Sequence, residues 1–401
     1  MIVDGGAEAA NCQGCDENGS HCAYFTKVYT RLWRDIVAAY CLLSTRCSDN
    51  LVGYMDIPNE SLSRRKIVAS AGIGLGSGLF AGLARAQGSA AKASADSAAK
   101  IWSNDYWAKK GDVSLYMFRK RVGAPKAGQP ALPVLFLVHG SSLSSRPSFD
   151  LTVPGHGEYS VMNTFAQYGF DVWTMDHENY GRSGRTEGNS DIASGVEDLK
   201  AGIDLVLRET GQSKVHMFGE SSGGLRAGAY AMVRPERIDR LVLAAFTYKG
   251  EGSPTLTERA KQLEYYRTHN RRLRDRAMIR SIYTRDKVGT SDPALGEFVA
   301  DLELKFGDQV PTGTYLDMTA NLPVVDPAKV LSPVLLIRGE YDGIATVADL
   351  LEFYKQLPCG DRQFVILPGM AHSVVSGLNR QLLWHSMRAF LTMPSPTAPS
   401  A

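Results

Sequence analysis

Most of this 401-residue chain has almost no cysteine. Five of the six (Cys12, Cys15, Cys22, Cys41 and Cys47) precede residue 48, which leaves Cys359 alone and allows no disulfide framework in the rest. Excess charge is missing too. The 44 Lys and Arg against 42 Asp and Glu give a net charge of +2, so the bulk composition offers no footprint for nucleic acid. There is no internal repeat, no Walker loop and no dinucleotide-binding glycine fingerprint after a strand. Gly72-Ile73-Gly74-Leu75-Gly76 is glycine-rich, but no strand pattern precedes it. Beyond the first hundred residues no His, Asp or Glu cluster has metal-ligand spacing, so neither a metal nor another cofactor is expected. What remains is an ordinary apolar and charged composition, that of one large globular domain with additions.

The additions lie at the N-terminal end. Ser63-Arg64-Arg65-Lys66-Ile67-Val68 leads into a mildly apolar, Gly/Ala-rich run through Leu83, followed by Ala84-Arg85-Ala86. A basic start, a weak apolar run and an Ala-x-Ala site predict a twin-arginine-type signal peptide over 55–86, with the mature chain beginning near Gln87. The run is too short and too rich in glycine for a stable membrane span. Glycine at that density also disfavours the alternative, an amphipathic surface helix. Export implies a periplasmic or secreted protein with no stable membrane span in its mature form. Met55 opens a nine-residue lead into Arg64-Arg65, so residues 1–54 are read as a Cys-rich leader from an upstream start choice. The rival reading, zinc held by Cys12, Cys15, His21 and Cys22, lacks a second well-separated ligand pair. Gly88 to Ala99 has small residues and no core-forming pattern, and 87–104 is read as a linker.

The most informative segment is Lys214-Val215-His216-Met217-Phe218-Gly219-Glu220-Ser221-Ser222-Gly223-Gly224. A short apolar strand stops at Gly-x-Ser-x-Gly, and a small-residue helix pattern, Leu225 to Met232, follows. A strand-to-helix turn this sharp has no room for large side chains, so Gly219 and Gly223 are needed. It strains the backbone at Ser221 and pushes its Oγ out of the sheet. The new helix points free N–H groups at the spot where an oxyanion would form. The glycine spacing selects Ser221 as nucleophile; Ser222 falls at the next position.

Two further buried-strand patterns follow. Pro333 to Gly339 leads to Glu340-Tyr341-Asp342-Gly343, and Gln363 to Gly369 leads to Met370-Ala371-His372-Ser373. Both loops leave the C-terminal end of a strand, where an open parallel sheet places its ligand crevice. His372 would take the Ser221 proton and return it to the leaving group, and Asp342 would hold the imidazole tautomer. Glu340 is the rival acid. It directly follows the strand, whereas Asp342 lies two residues further on and precedes a turn-forming glycine. Upstream, the apolar run Val134 to Val138 ends at His139-Gly140-Ser141-Ser142, and Phe170 to Met175 ends at Asp176-His177-Glu178-Asn179-Tyr180-Gly181-Arg182-Ser183.

In this order and spacing, the chain from about Trp107 to Leu391 resembles an α/β-hydrolase-fold serine hydrolase, esterase-like. The resemblance implies an α/β fold: a mostly parallel central sheet, helices on both faces and a helical cap insertion. It also implies an oxyanion hole made by the backbone N–H groups of Ser141 and Ser222, a structural role for His139, and a structural Asp-x-x-x-Tyr-Gly-x-Ser loop from Asp176 to Ser183. The core would run over 105–246 and 331–393, split by a cap at 247–330 and followed by a tail, 394–401. The cap reads as helices over Thr255 to Ile282, Pro293 to Phe306 and Tyr315 to Ala320. Arg267, Arg271, Arg272, Arg274, Arg276, Arg280 and Arg285 are read as a solvated helix face with Asp275 and Asp286 as partners, in preference to a cationic rim for anionic substrates. Tyr265, Tyr266, Tyr283, Tyr315 and Met318 are candidates for an apolar pocket wall.

The expected activity is hydrolysis of a small-molecule carboxylic ester through an acyl-enzyme. A serine at the elbow argues against haloalkane dehalogenases and epoxide hydrolases, which resemble this chain but use Asp there. Lactonase, amidase, carbon–carbon bond hydrolase and acyltransferase chemistry stay open, since all can share the triad. A non-catalytic binding protein on this fold usually lacks a triad member, and none is missing here. The sequence carries no motif for substrate identity or oligomeric state.

Overall fold

Five consecutive apolar residues, 134–138, can all be dry only in a strand covered on both faces. In the computed structural model, which describes residues 100–394, they form the middle of an eight-stranded sheet and every one is buried. The leader, the signal-like segment and 87–99 of the expected linker lie outside the described residues, as does the tail past Pro394.

The strands are β1 (Ile101–Lys110), β2 (Val113–Val122), β3 (Val134–Val138), β4 (Asp171–Met175), β5 (Val215–Glu220) and β6 (Ile238–Ala244). A short ribbon follows, β7 (Arg271–Leu273) with β8 (Gln309–Pro311), and then β9 (Val334–Gly339) and β10 (Arg362–Leu367). The sheet order is β1-β2-β4-β3-β5-β6-β9-β10. β2 is antiparallel to both β1 and β4, and all other neighbours are parallel. This is the α/β-hydrolase fold, with a mostly parallel sheet.

Alternation sorts the core into two layers. From β3, Phe136 and Val138 face one layer, Leu135 and Leu137 the other. The second layer is closed by α1 (Ser145–Phe149), α2 (Val161–Gln167) and a C-terminal helix, Arg380–Leu391, through Phe149, Phe165 and Trp384. The first is closed by α3 (Ile192–Thr210), α4 (Ser222–Val233) and a helix at Val347–Gln356, through Leu199, Tyr230 and Phe353. Helix α3 begins where the Asp191 side chain accepts the Ser194 N–H. It ends at Gly211, whose φ of 70° suits glycine in the left-handed region.

β1 starts four residues inside the expected linker, at Ile101 rather than after 104. Its polar Ser103-Asn104-Asp105 stretch hides the strand in the sequence. The strand is an edge, held by ten paired positions with β2 from Ile101↔Val122 to Lys110↔Val113. Its aromatic side chains pack on β2 and β4: Trp102 under Arg119, and Tyr106 4.7 Å from Trp173.

The cap also departs from the expected pattern. Its first helix is broken into α5 (Pro254–Ala260), α6 (Leu263–Thr268) and α7 (Arg276–Ile282); the second break falls where residues 271–273 pair with 309–311 instead of continuing a helix. The backbone groups freed by the break are satisfied by that ribbon and by the Thr312 N–H to Asn270 carbonyl bond. Helix α8 (Leu295–Glu303) and the short α9 (Gly313–Leu316) complete the cap. It packs through Ile279, Leu295 and Val299 on Leu151 and Val153, and through Tyr266 and Tyr315 on Tyr180.

The cap arginines are not one solvated face. Arg276 and Arg280 pair with Glu297, Arg267 with Glu264 and Arg285 with Asp286. Asp275 caps α7 instead, accepting the Met278 N–H. Arg274 is buried in an ion pair with Glu303, itself fully buried. Losing one partner of such a pair typically costs about 3–5 kcal/mol. Among the described residues no helix is long and apolar enough to cross a membrane.

Candidate active site

The chain leaves β3 for β4 on one side and later returns to β5 on the other. That reversal opens a crevice at the C-terminal ends of β3 and β5. Ser141 follows β3, and Ser221 follows β5. Ser221 has φ 59° and ψ −127°, a region that costs a non-glycine residue about 1–3 kcal/mol. A Cβ at Gly219 would collide with the backbone of Gly223, and one at Gly223 with the carbonyls of Val138 and His139. The two glycines therefore let β5, the turn and α4 lie this close together.

The Ser221 hydroxyl and His372 Nε2 are 2.9 Å apart. His372 Nδ1–H donates to Asp342 Oδ1 at 2.9 Å, and Asp342 Oδ1 also accepts the Ile344 N–H at 2.8 Å. Asp342 and His372 are buried. Glu340 is exposed and accepts the Gly369 N–H. A Cβ at Gly339 would strike the Met370 and Ala371 carbonyls, so this glycine lets the Asp342 and His372 loops meet. Ser222 is buried, with its Oγ accepting from Ser141 Oγ at 2.8 Å.

The loop after β3 passes over Ser221: a Cβ at Gly140 would lie 3.3 Å from the Ser221 Cβ. Ser222 is the first residue of α4, where backbone N–H groups have no partner within the helix. The β3 loop is fixed from two sides. Thr314 Oγ1 donates to Ser141 Oγ at 2.8 Å, Tyr315 Oη bonds Ser142 Oγ at 2.8 Å, and Glu303 accepts from the Ser144 N–H and O–H. From the loop after β4, Tyr180 Oη donates to the Ser141 carbonyl at 3.0 Å, and Asp176 accepts from the Ser145 N–H and O–H. His139 is buried and accepts the His177 N–H at its Nε2, so Nδ1 carries the proton. Burial, with the His177 and Arg226 charges, holds its pKa well below the ordinary histidine range.

Thr314 and Glu303 have no local signal as supports of this loop, since they lie more than 150 residues away. Glu220 is a further residue that the sequence reading passed over. It stands between the elbow glycine and Ser221 and lines the same cleft.

The sequence profile of the serine aminopeptidase S33 family matches residues 153–378, more than half of the chain. The chain belongs to that family. It is 21% identical over 239 residues to a monoacylglycerol lipase from Mycolicibacterium smegmatis, covering 58% of this chain and 82% of the lipase. Among solved structures, a bromoperoxidase from Bacillus anthracis superposes with TM-score 0.53 at 18% identity, over 72% of this chain and all of its own. A carboxylesterase from Bacillus subtilis does so with TM-score 0.53 at 18% identity, over 73% of this chain and 93% of its own. At such identities the superpositions establish the fold. The chain is an α/β-hydrolase enzyme.

In this S33-family hydrolase two carboxyls at the site, Asp342 and Glu220, are set apart electrostatically. Burial acts to raise the Asp342 pKa, but the His372 charge and hydrogen bond, with the Ile344 N–H, outweigh it and hold the carboxyl below its usual value. Burial pushes Glu220 up to about 7, against the opposing pull of His372 and the Val375 and Val374 N–H groups.

A cleft open to solvent lies in front of Ser221. Leu143, Ile282, Tyr283 and Val375 supply apolar wall; Arg259 and Arg285 face it from the cap. Of the five pocket candidates, Tyr283 lines this cleft and Tyr266 an adjoining recess. Tyr265 stacks on His269 at the surface, Tyr315 is wholly buried, and Met318 belongs to the core. Among the described residues no group of three or more His, Cys, Asp or Glu could hold a metal ion.

Proposed function

We propose that this enzyme hydrolyses a carboxylic ester through an acyl-enzyme. Ser221 attacks the acyl carbon and His372 Nε2 takes its proton. Asp342 holds the ring in the tautomer that leaves Nε2 free and stabilises the imidazolium. The backbone N–H groups of Ser141 and Ser222 receive the oxyanion. The proton on His372 then passes to the departing alcohol, and water deacylates by the same route in reverse. The observation that carries this reading is the hydrogen-bonded row Ser221–His372–Asp342, with both contacts at 2.9 Å.

An ester is favoured by the monoacylglycerol lipase relative. The family description suggests a second reading, cleavage next to a peptide's free α-amino group. That group is a cation and needs an acidic receptor. The carboxyl that lines the cleft, Glu220, is lifted to about 7 by burial. The cap also turns Arg259, which has no salt bridge among the described residues, toward the cleft, and both argue for the ester.

We propose further that residues 55–86 direct twin-arginine export and that the mature enzyme works in the periplasm or outside the cell, the motivation being Arg64-Arg65 ahead of a weak apolar run.

The direct test of the mechanism is covalent labelling by a fluorophosphonate, followed by an ester screen. Ser221→Ala should abolish labelling and lower turnover by on the order of 10³- to 10⁶-fold with the fold intact. Ser222→Ala should still be labelled. Labelling that survives Ser221→Ala and disappears in Ser222→Ala would move the nucleophile.

A further inference from the structure

Among the described cap arginines, three lack a carboxylate partner, and two of these have no carbonyl partner either. Arg267, Arg274, Arg276, Arg280 and Arg285 each have one. Arg271 donates instead to the carbonyls of Thr186, Gly188 and Asn270. Arg259 and Arg272 have no salt bridge among the described residues. Among the described residues, the one polar contact of the Arg259 guanidinium is from Nη1 to Met318 Sδ at 3.9 Å, a weak acceptor. Its Cζ lies 5.1 Å from the centre of the Tyr315 ring, and the Arg272 Cζ lies 4.7 Å from the same ring.

The two cations thus share one aromatic ring beside the active site. Arg259 lines the Ser221 cleft and also the recess next to it, which Arg272 lines too. The acids around that recess are already occupied. Glu258 holds Lys261, Asp286 holds Arg285 and Asp342 holds His372, while Glu340 accepts the Gly369 N–H. Burial lowers the Arg259 pKa to about 10, and the Arg285 and Arg272 charges push the same way against Tyr315 and Tyr266. Arg259 therefore remains cationic at neutral pH. The half-buried guanidinium has no counter-charge among the described residues, so an incoming anion would gain a charge-assisted pairing there.

We propose that Arg259 and Arg272 form the receptor for an anionic group, a carboxylate or a phosphate, carried by the substrate. The enzyme then selects esters that keep a negative charge away from the scissile bond. The guanidinium forks suit either group through paired N–H donors, and Tyr315 holds both forks in place. This inference rests on the ester-hydrolase reading above.

Matched substrates test it. On the acyl side, 4-nitrophenyl half-esters of succinic, glutaric and adipic acid are compared with the butanoate, pentanoate and hexanoate of equal length. On the alcohol side, acetyl glycerol phosphate is compared with acetyl glycerol, which separates a phosphate from a carboxylate source. In at least one pair the anionic member should have the higher kcat/KM, by roughly 10- to 100-fold, the range of a charged hydrogen bond. The preference should lie mainly in KM and shrink with added salt. Arg259→Gln should collapse the ratio and Arg272→Gln should lower it. Arg259→Lys should restore part of it, which a merely unfolded variant would not do. Neutral esters turned over as well as or better than their anionic partners in every pair would overturn the proposal, as would a preference untouched by Arg259→Gln. If no ester is turned over, it is the ester reading that fails. The anion site is then read by titrating the Ser221→Ala protein with glutarate and with inorganic phosphate. Binding weakened by Arg259→Gln supports the site, and absence of binding to either anion refutes it.

Discussion

Replacing Glu220 by Gln should change how stability depends on pH, with a sign that can be worked out beforehand. Glu220 ends β5 directly before Ser221, and its Oε1 accepts the Val375 N–H at 3.3 Å. Burial lifts its carboxyl from an ordinary 4.5 to about 7. The folded protein therefore keeps a proton that the unfolded chain releases between those values. The stabilising contribution is fully present below about pH 4.5 and is lost as pH rises through about 7. At 1.36 kcal/mol per pH unit, the difference 7 − 4.5 corresponds to about 3 kcal/mol. Gln has the same shape and no proton to lose. Relative to wild type, Glu220→Gln should gain about 3 kcal/mol between pH 4.5 and pH 8, roughly 5 °C in Tm for a domain of this size. Denaturant and thermal melts of both proteins across that range measure it. A difference that stays constant with pH, or one that turns against the variant at high pH, would refute the reasoning.

Three other outcomes are expected. Asp342→Asn should leave the fold intact but offer His372 the wrong hydrogen-bond partner, lowering turnover by up to about 10⁴-fold. Glu340→Gln should stay within a few-fold, because Glu340 is exposed and only accepts the Gly369 N–H; the reverse ranking would transfer the acid role. A fusion of residues 55–90 to a reporter should be exported folded, and Arg64→Lys with Arg65→Lys should strand it in the cytoplasm. Equal export of the double variant would refute the twin-arginine assignment.

The α/β-hydrolase fold was legible because its central strands are covered on both faces. Such strands read as unbroken apolar runs, as at 134–138 and 334–337, and the loops at their C-terminal ends carry the conspicuous residues. Edge and cap elements obey no such rule. β1 carries the polar run Ser103-Asn104-Asp105 on a surface edge, and Arg271-Arg272-Leu273 becomes a strand only by meeting Gln309–Pro311, far along the chain. The same distance hid Arg274 and Glu303. Within a charged helical stretch an arginine looks solvated, and only the fold shows that this one lies between β7 and α7, buried against a carboxylate from α8. Glu220 was hidden differently. The x of Gly-x-Ser-x-Gly is unconstrained by the elbow itself, so its chemistry depends on what packs over it, here the loop of Val374 and Val375.

Tyr315 joins the two parts of the proposed mechanism. Its ring lies against the guanidiniums of Arg259 and Arg272, and its hydroxyl bonds Ser142, next to the Ser141 N–H assigned to the oxyanion. The side chain is wholly buried, so it cannot follow one partner without disturbing the other. An anion drawn to the two arginines would thus bind against the same side chain that fixes the β3 loop. Attraction to a part of the substrate remote from the reacting bond then seats the ester against the loop that carries the Ser141 N–H, which tightens binding and shows mainly in KM. A cap that served only to exclude water would need neither the uncompensated charges nor the phenol between them and the loop.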